Sequence, residues 1–213
     1  MPAKKIYVPR SLDLPSALAF TKAMLAVKQA DEFMFDMGEV GHLEPFGMLM
    51  VASEIRALLR RFPGARSTFQ RYEHISYAAH MGFFQAAGLN FGKAPGEARG
   101  SARYLPLTIF NCQVLRDQAV MGATEVGDVV EERSQKLAEM LCGEGEGDVF
   151  DTLTYSLREM MRNVVEHSEA EQFGVCAQYW PTKNRVEVAI VDRGIGLRRS
   201  LESNLNRPGI RGG

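Results

Sequence analysis

Hydrophobic and polar residues along the N-terminal part of the chain predict strands and helices in turn. Short runs rich in β-branched and aromatic residues alternate with longer runs whose apolar residues recur every three or four positions. The predicted elements are strand Lys5–Leu12, helix Pro15–Gln29, strand Glu32–Val40, helix Phe46–Phe62, strand Ala65–Arg71 and helix Ile75–Ala87. Strands that alternate with helices indicate an α/β layer.

Helix-breaking residues predict two domains, 1–100 and 101–213. The segment 90–101 contains three glycines and a proline and is the best linker candidate. The stretch 125–141 then predicts a charged amphipathic helix, before a glycine-rich joint at 142–148. Its apolar positions need a partner, either the C-terminal domain or a second subunit: Val126, Val129, Val130, Leu137 and Leu141.

The helix that follows this joint has three kinds of face. One side of its helical wheel is predicted to be core: Leu153, Leu157, Met160, Met161 and Val164. The roughly opposite side is predicted to face solvent: Tyr155, Arg158, Arg162 and Glu166. A third sector holds short or hydrogen-bonding residues: Thr152, Ser156, Glu159, Asn163 and His167. This third sector indicates either a solvated flank or the wall of a polar pocket.

Two β-rich runs follow the helix, and the second ends in an acid. The runs 173–180 and 185–192 are joined by Pro-Thr-Lys-Asn, which is typical of a hairpin turn. Asp192 is followed by Gly194 and Gly196, which lack the Cβ that would keep a ligand away from the backbone. The alternative for this stretch alone is an ordinary turn.

Residues 150–197 resemble the GHKL ATPases, the superfamily of DNA gyrase, histidine kinases, mismatch-repair proteins and a heat-shock chaperone. Glu159 and Asn163 match the N-box of that family, and Asp192-Arg-Gly-Ile-Gly matches its DxGxG box. The resemblance implies a Bergerat-type α/β sandwich that binds ATP and Mg²⁺. No Walker-type or Rossmann-type glycine pattern is present in the sequence.

The resemblance also implies roles for the matched residues. Asn163 would hold Mg²⁺ through its amide oxygen, since Mg²⁺ prefers oxygen ligands. Asp192 would accept a hydrogen bond from the adenine amino group, and Gly194 and Gly196 would belong to the cofactor-binding loop. Glu159 would be the general base in a hydrolase, or would orient the attacking hydroxyl in a kinase. His167 would either face the nucleotide or only compensate the helix dipole.

The family pattern continues beyond what this sequence contains. The segment 197–213 looks like the beginning of the mobile lid, and no second glycine-rich box follows it. That box supplies backbone amides to the phosphates in the family, so the expectation is a C-terminally incomplete ATP-binding domain, and whether the chain is a fragment stays open.

The stretch 32–61 looks like the STAS domain of anti-anti-sigma factors and sulfate transporters. In that family a strand ends in a loop at a helix N-terminus, and anti-anti-sigma factors are phosphorylated on a serine of the loop. The aligned residues here are Glu44, Pro45, Phe46 and Gly47. Pro45 has no hydroxyl at the phosphoacceptor position, so phosphorylation of this loop is not expected, although Glu44 could act as a fixed negative charge.

The composition of the chain narrows the classes of function that the protein can have. The 213 residues are 46% hydrophobic and carry a net charge of −1, which suits one or two domains and argues against binding to nucleic acid or an anionic membrane. Three cysteines indicate neither a disulfide framework nor a zinc site, and the histidines lack metal-ligand spacing. The sequence lacks the apolar core of a signal peptide and any run long enough to span a membrane, which predicts a cytoplasmic protein.

Two hypotheses for function follow. The first is an ATP-binding signalling protein of the anti-sigma-kinase or histidine-kinase-like kind, with ATP or ADP, Mg²⁺ and a regulatory protein, or a second copy of the chain, as partners. Whether it would be an ATPase, a protein kinase or inactive stays open. The second is a non-catalytic interaction scaffold with a degenerate STAS-like module and an inactive ATP-type domain.

Overall fold

The computed structural model describes residues 3–142, 145–196 and 199. The chain is a mixed α/β protein with parallel and antiparallel sheets. It divides into two compact units: unit 1 contains residues 1–108 and 175–191, and unit 2 contains residues 109–174 and 192–213. The division into domains 1–100 and 101–213 stays a prediction. The predicted lid segment, Arg199 apart, lies outside the described residues.

Strands and helices alternate in the N-terminal part of unit 1, as the hydrophobic pattern predicts. The elements are β1 Ala3–Tyr7, β2 Ser11–Leu12, α1 Leu14–Leu25, β3 Glu32–Asp36, β4 His42–Leu43, α2 Pro45–Arg61, β5 Arg66–Gln70, α3 Ser76–Met81 and α4 Phe83–Ala87. The single helix predicted for 75–87 is divided, because Gly82 has a left-handed φ of 88° that ends α3. The first predicted strand is divided as well, into β1 and β2.

A three-stranded parallel sheet with the order β1-β3-β5 forms the centre of this part of unit 1. Ile6 of β1 is opposite Phe35 of β3, and Phe35 is opposite Phe69 of β5. Phe33 and Phe35 are completely buried and pack with residues of α1 and α2 in one hydrophobic core. A parallel sheet covered in this way buries its strands, which explains the aromatic run in β3.

Asp13 explains where α1 begins. Its Oδ1 accepts a hydrogen bond from the Ser16 backbone N–H at 2.9 Å, and the Ser11 hydroxyl donates to Oδ2 at 2.7 Å. The Ser11 bond and then the Ser16 bond lower the pKa of Asp13 to about 2. Pro15 lies in the first turn, where its missing N–H is not needed.

Strands β2 and β4 pair with each other in a two-stranded parallel sheet. The other strands of the described residues are β6 Tyr104–Asn111, β7 Gln172–Trp180 and β8 Arg185–Asp192. They form a second three-stranded sheet with the order β6-β7-β8. The predicted connection of β7 to β8 by a short turn is confirmed: a single 3₁₀ turn, Pro181–Lys183, is followed by Asn184 at a φ of 43°. The hydrophobic pattern did not predict β6.

The described residues of unit 2 contain the helices α5 Cys112–Gly122, α6 Val126–Cys142 and α7 Asp148–His167. The sequence predicted α6 and α7 but not α5. The partner that the apolar face of α6 needs is α7 of the same unit. The buried Ser134 of α6 contacts the Met161 sulfur, and Glu131 Oε2 lies 3.4 Å from Arg158 Nε. No helix among the described residues is both long and apolar enough to cross a membrane.

Candidate functional site

Helix α7 is stabilised at both ends by its own sequence. Asp148 and Asp151 lie in the first turn, where negative charge compensates the exposed N–H groups. Arg162 Nε donates to Glu166 Oε1 at 2.8 Å, one turn along the helix, and His167 is the basic residue of the last turn. The helix therefore needs no ligand to explain its formation.

The buried face of α7 differs from the predicted one. Its buried residues are Thr154, Leu157, Met161, Val164 and Val165. The assignment of Met160 to the core is wrong, because this residue is 39% exposed. The real core is rotated towards Thr154 and Val165, since α6 packs beside Met161 and Arg158.

The predicted third sector lies on the accessible side of α7. Glu159 is half-buried, whereas Asn163 and His167 are exposed. The side chains of Glu159 and Asn163 form no hydrogen bond with any other residue in 3–142, 145–196 and 199. His167 is 52% exposed, and its Nε2 lies 3.8 Å from Glu166 Oε2. Both interpretations of this sector, a solvated flank and a pocket wall, are compatible with this placement.

Asp192 ends β8 and begins the glycine-containing loop 192–196. The Gly194 backbone N–H donates to Asp192 Oδ1 at 2.8 Å, which fixes the orientation of the carboxylate. Asp192 itself is exposed. The carboxylate is thus held by its own loop and remains accessible to an external hydrogen-bond donor.

The loop is attached to the C-terminal end of α7 at Ser168. The Ile195 backbone N–H donates to the Ser168 carbonyl oxygen at 2.7 Å. Along the helix axis, Asn163 lies about 7.5 Å and Glu159 about 14 Å before Ser168, at 1.5 Å per residue. The structure therefore brings the Asp192 loop to the end of the helix that carries Glu159 and Asn163, with His167 nearest in sequence to the contact.

Glycine is favoured at positions 194 and 196 of this loop for two different physical reasons. A Cβ on Gly194 would overlap the carbonyl oxygen of Ser168. Gly196 has a φ of 75°, and no atom of the described residues lies near its Cβ position, so its backbone conformation favours glycine. The expected role of Gly194 in admitting a ligand stays a prediction, because close packing against Ser168 already explains the glycine.

The α2 N-terminus in unit 1 is the second place where the sequence predicts chemistry. Pro45 is the first residue of the helix, and Glu44 precedes it without capping it through its side chain. Instead, Glu187 Oε1 of β8 accepts a hydrogen bond from the Phe46 backbone N–H at 3.1 Å. Arg185 lies 3.5 Å from Glu44 Oε1 and also binds Glu187. The charged groups of this loop are therefore paired within unit 1.

Three histidines of unit 1 have partners that fit ordinary structural roles. His42 Nε2 lies 3.5 Å from Glu44 Oε1, and His74 Nε2 lies 3.0 Å from the Val40 carbonyl oxygen. His80 Nε2 donates to the Tyr104 hydroxyl at 2.9 Å, since that hydroxyl donates onward to a carbonyl. In the described part of the chain, no group of three or more His, Cys, Asp or Glu residues is arranged to hold a metal.

Two features of these sites could not be read from the sequence pattern. Ser168 directly follows the last residue of α7, and the sequence pattern identifies it only as a residue at the end of a helix. Glu187 is separated from Phe46 by 141 positions, so no local pattern connects them.

Comparison with protein-family models gives no match. No curated protein and no solved structure matches the chain either.

Proposed function

We propose that this chain is an ATP-binding regulatory protein of the GHKL class, with an N-terminal STAS-like α/β module and a Bergerat-type ATP-binding region. One observation carries the proposal: the Asp192 loop is hydrogen-bonded to the end of the helix that presents Glu159, Asn163 and His167 on its accessible side. The two motifs come from separate parts of the sequence, and their proximity is what a shared nucleotide site requires.

The described residues fit Mg²⁺-ATP in their chemistry. Asn163 is exposed and has an amide oxygen that no described residue occupies, which suits a Mg²⁺ ligand. Asp192 has an oriented, exposed carboxylate, which suits the adenine amino group. Mg²⁺ would neutralise the negative charge of the phosphates.

Glu159 lies one turn before Asn163 and faces the same side. In the proposed site it holds a proton from water or from a substrate hydroxyl, and the choice between ATPase and kinase depends on which of these reaches it. His167 lies one turn after Asn163 and, half-exposed, contacts the nucleotide. Gly194 and Gly196 shape the loop below the adenine.

The STAS-like part of the proposal is supported by the parallel sheet β1-β3-β5 with helices between its strands, and by α2 beginning directly after β4. Pro45 at the start of α2 offers no hydroxyl for phosphorylation. Regulation through this module would therefore use binding of a protein partner or of a second copy of the chain.

A non-catalytic scaffold is the second candidate, and an exposed apolar surface on α5 favours it. Val120 is 80% exposed and Met121 is 87% exposed, and Val114 on the same helix is half-exposed. Large exposed apolar side chains that cluster on one helix are typical of protein-interaction surfaces.

Adenine selectivity distinguishes the two candidates. A fluorescent ATP analogue should bind the full chain and be displaced by ADP but not by GDP. D192N should weaken binding by about 5- to 150-fold, which corresponds to roughly 1 to 3 kcal/mol for a charged hydrogen bond. D151N is the matched control, since it removes an exposed acid of α7 outside the proposed site. Equal displacement by ADP and GDP, or no effect of D192N, would favour the scaffold.

A further inference from the structure

Ser168 is a small buried residue that connects three backbone segments of unit 2. It is 9% exposed, and its hydroxyl donates to the Val164 carbonyl oxygen at 2.7 Å. The same hydroxyl accepts a hydrogen bond from the Ala170 backbone N–H at 3.0 Å. Its carbonyl oxygen accepts the hydrogen bond from Ile195 at 2.7 Å. The end of α7, the chain leading to β7 and the Asp192 loop therefore meet at one residue.

Gly194 makes this contact close. A Cβ at this position would overlap the Ser168 carbonyl group and its side-chain Cβ. Only glycine allows the loop backbone to lie directly against the end of the helix. The position of the loop relative to α7 is therefore set by backbone contact, which leaves less freedom than contact through long side chains.

The same loop orients the carboxylate proposed to bind adenine. Gly194 donates its N–H to Asp192 Oδ1, and the next residue, Ile195, donates to Ser168. A short sequence of hydrogen bonds thus joins the Asp192 carboxylate to the last turn of α7. Displacement of the loop would move this carboxylate away from the helix that carries Asn163.

We propose that Ser168 is a positioning residue for nucleotide binding, which fixes the distance between the Asp192 carboxylate and the N-box face of α7 while touching no nucleotide itself. The inference rests on the proposed function, because it assumes that Asp192 receives the adenine. Holding the loop before the ligand arrives reduces the ordering cost of binding.

The hydroxyl acts through the carbonyl. By holding Val164 and Ala170, it fixes the backbone at Ser168, so the carbonyl oxygen points at Ile195. S168A removes two hydrogen bonds of the hydroxyl and leaves the carbonyl with a less restricted direction. One net hydrogen bond corresponds to about 1 kcal/mol, or about a fivefold change in affinity.

The test is titration calorimetry of the full chain with Mg²⁺-ADP, for the wild type, S168A and T21A. Thr21 of α1 is the matched control, because its hydroxyl donates to the Ala17 carbonyl at 3.0 Å, one turn back along the helix, as the Ser168 hydroxyl does to Val164. S168A should raise Kd for ADP about fivefold with unchanged stoichiometry. T21A should leave Kd unchanged. A purely structural role would lower the stoichiometry, through a smaller folded fraction, and leave Kd as in the wild type.

Hydrogen exchange provides the second measurement and needs no nucleotide. The Ile195 amide should exchange faster in S168A and remain protected in T21A and in S168T, which keeps the hydroxyl. Unchanged protection in S168A would overturn the inference and leave the proposed function intact, as would an unchanged Kd. Absence of ADP binding by the wild type would overturn the proposed function and this inference together.

Discussion

Two regions rich in polar residues show opposite arrangements of their polar groups. At the carboxyl ends of the parallel strands in unit 1, Asp36 is 2% exposed and is paired with Lys5 and Arg71. On α7 in unit 2, Glu159 and Asn163 are accessible and have no hydrogen-bond partner among the described residues. A buried charge needs such partners, whereas an accessible amide is satisfied by water and can exchange it for a ligand.

The comparison shows that a suggestive position in a fold does not make a site. The carboxyl edge of a parallel sheet is a common place for ligands, yet here its charges neutralise one another. The α2 N-terminus, a second common anion site, is satisfied by Glu187. The accessible polar groups lie instead on α7 and at Asp192.

The largest expected effect concerns Gly47, near the beginning of α2 in unit 1. In G47A, the new Cβ would overlap the backbone carbonyl of Leu12, which cannot move independently. We expect a loss of at least about 3 kcal/mol in the free energy of unfolding, as for severe overpacking. Denaturant unfolding of G47A and of G64A measures this loss, since in the described part of the chain no atom lies near the Cβ position of Gly64. Equal stability of the two variants would show that α2 does not pack closely against Leu12.

The second prediction concerns the face of α7. Met161 is completely buried and Met160 is 39% exposed. M161A should lose roughly 3 kcal/mol of stability through lost burial and a cavity, and M160A at most about 0.5 kcal/mol. Thermal unfolding of both variants measures the difference. An equally large loss in M160A would restore the helical wheel inferred from the sequence, in which both methionines belong to the core.

The third prediction is a pH dependence from the Asp36 cluster. The hydrogen bond from Lys5, and then that from Gly38, hold the pKa of Asp36 below its ordinary value, and Asp36 in turn raises the pKa of Lys5. A lowered folded pKa gives stability that is present above the unfolded value, about 3.9, and is lost as pH falls. The raised pKa of Lys5 gives stability that is present below about 10.4 and is lost at higher pH.

The free energy of unfolding of the wild type and of D36N, measured near neutral pH and again below about pH 4, tests this cluster. We expect D36N to be less stable near neutral pH, and the difference to shrink as pH falls below about 4. K4A is a control for general surface charge, because Lys4 is exposed on the same strand. A difference that stays constant down to pH 2 would mean that Asp36 is not ionised and paired as described.

Local signals predicted most helices and strands, and long-range contacts explain the rest. Helix α7 was predicted because its amphipathic period runs over several turns. Met160 was misassigned because the wheel shows which residues share a side but not where α6 packs. Strand β6 has Pro106 and a mixed burial pattern, which weakens the alternation that identifies a strand.

The candidate site was predictable only in part for the same reason. Asn163 and Asp192 stand out by residue type and spacing, but Ser168 gains its importance from a contact with Ile195, which is 27 positions away. The charges around Glu44 depend on Arg185 and Glu187 of a distant strand. Sequence patterns indicate which residues can do chemistry, and packing decides which remain accessible.

The most direct test of the central claim is calorimetric titration of the full chain with ATP, with and without Mg²⁺, for the wild type, N163A and N90A. Asn90 is an exposed asparagine of unit 1 and serves as the matched control. The wild type and N90A should bind ATP more tightly with Mg²⁺, by at least about tenfold, or roughly 1.4 kcal/mol. N163A should stay folded and lose this gain. A full Mg²⁺-dependent gain in N163A, or no ATP binding by the wild type, would contradict the account.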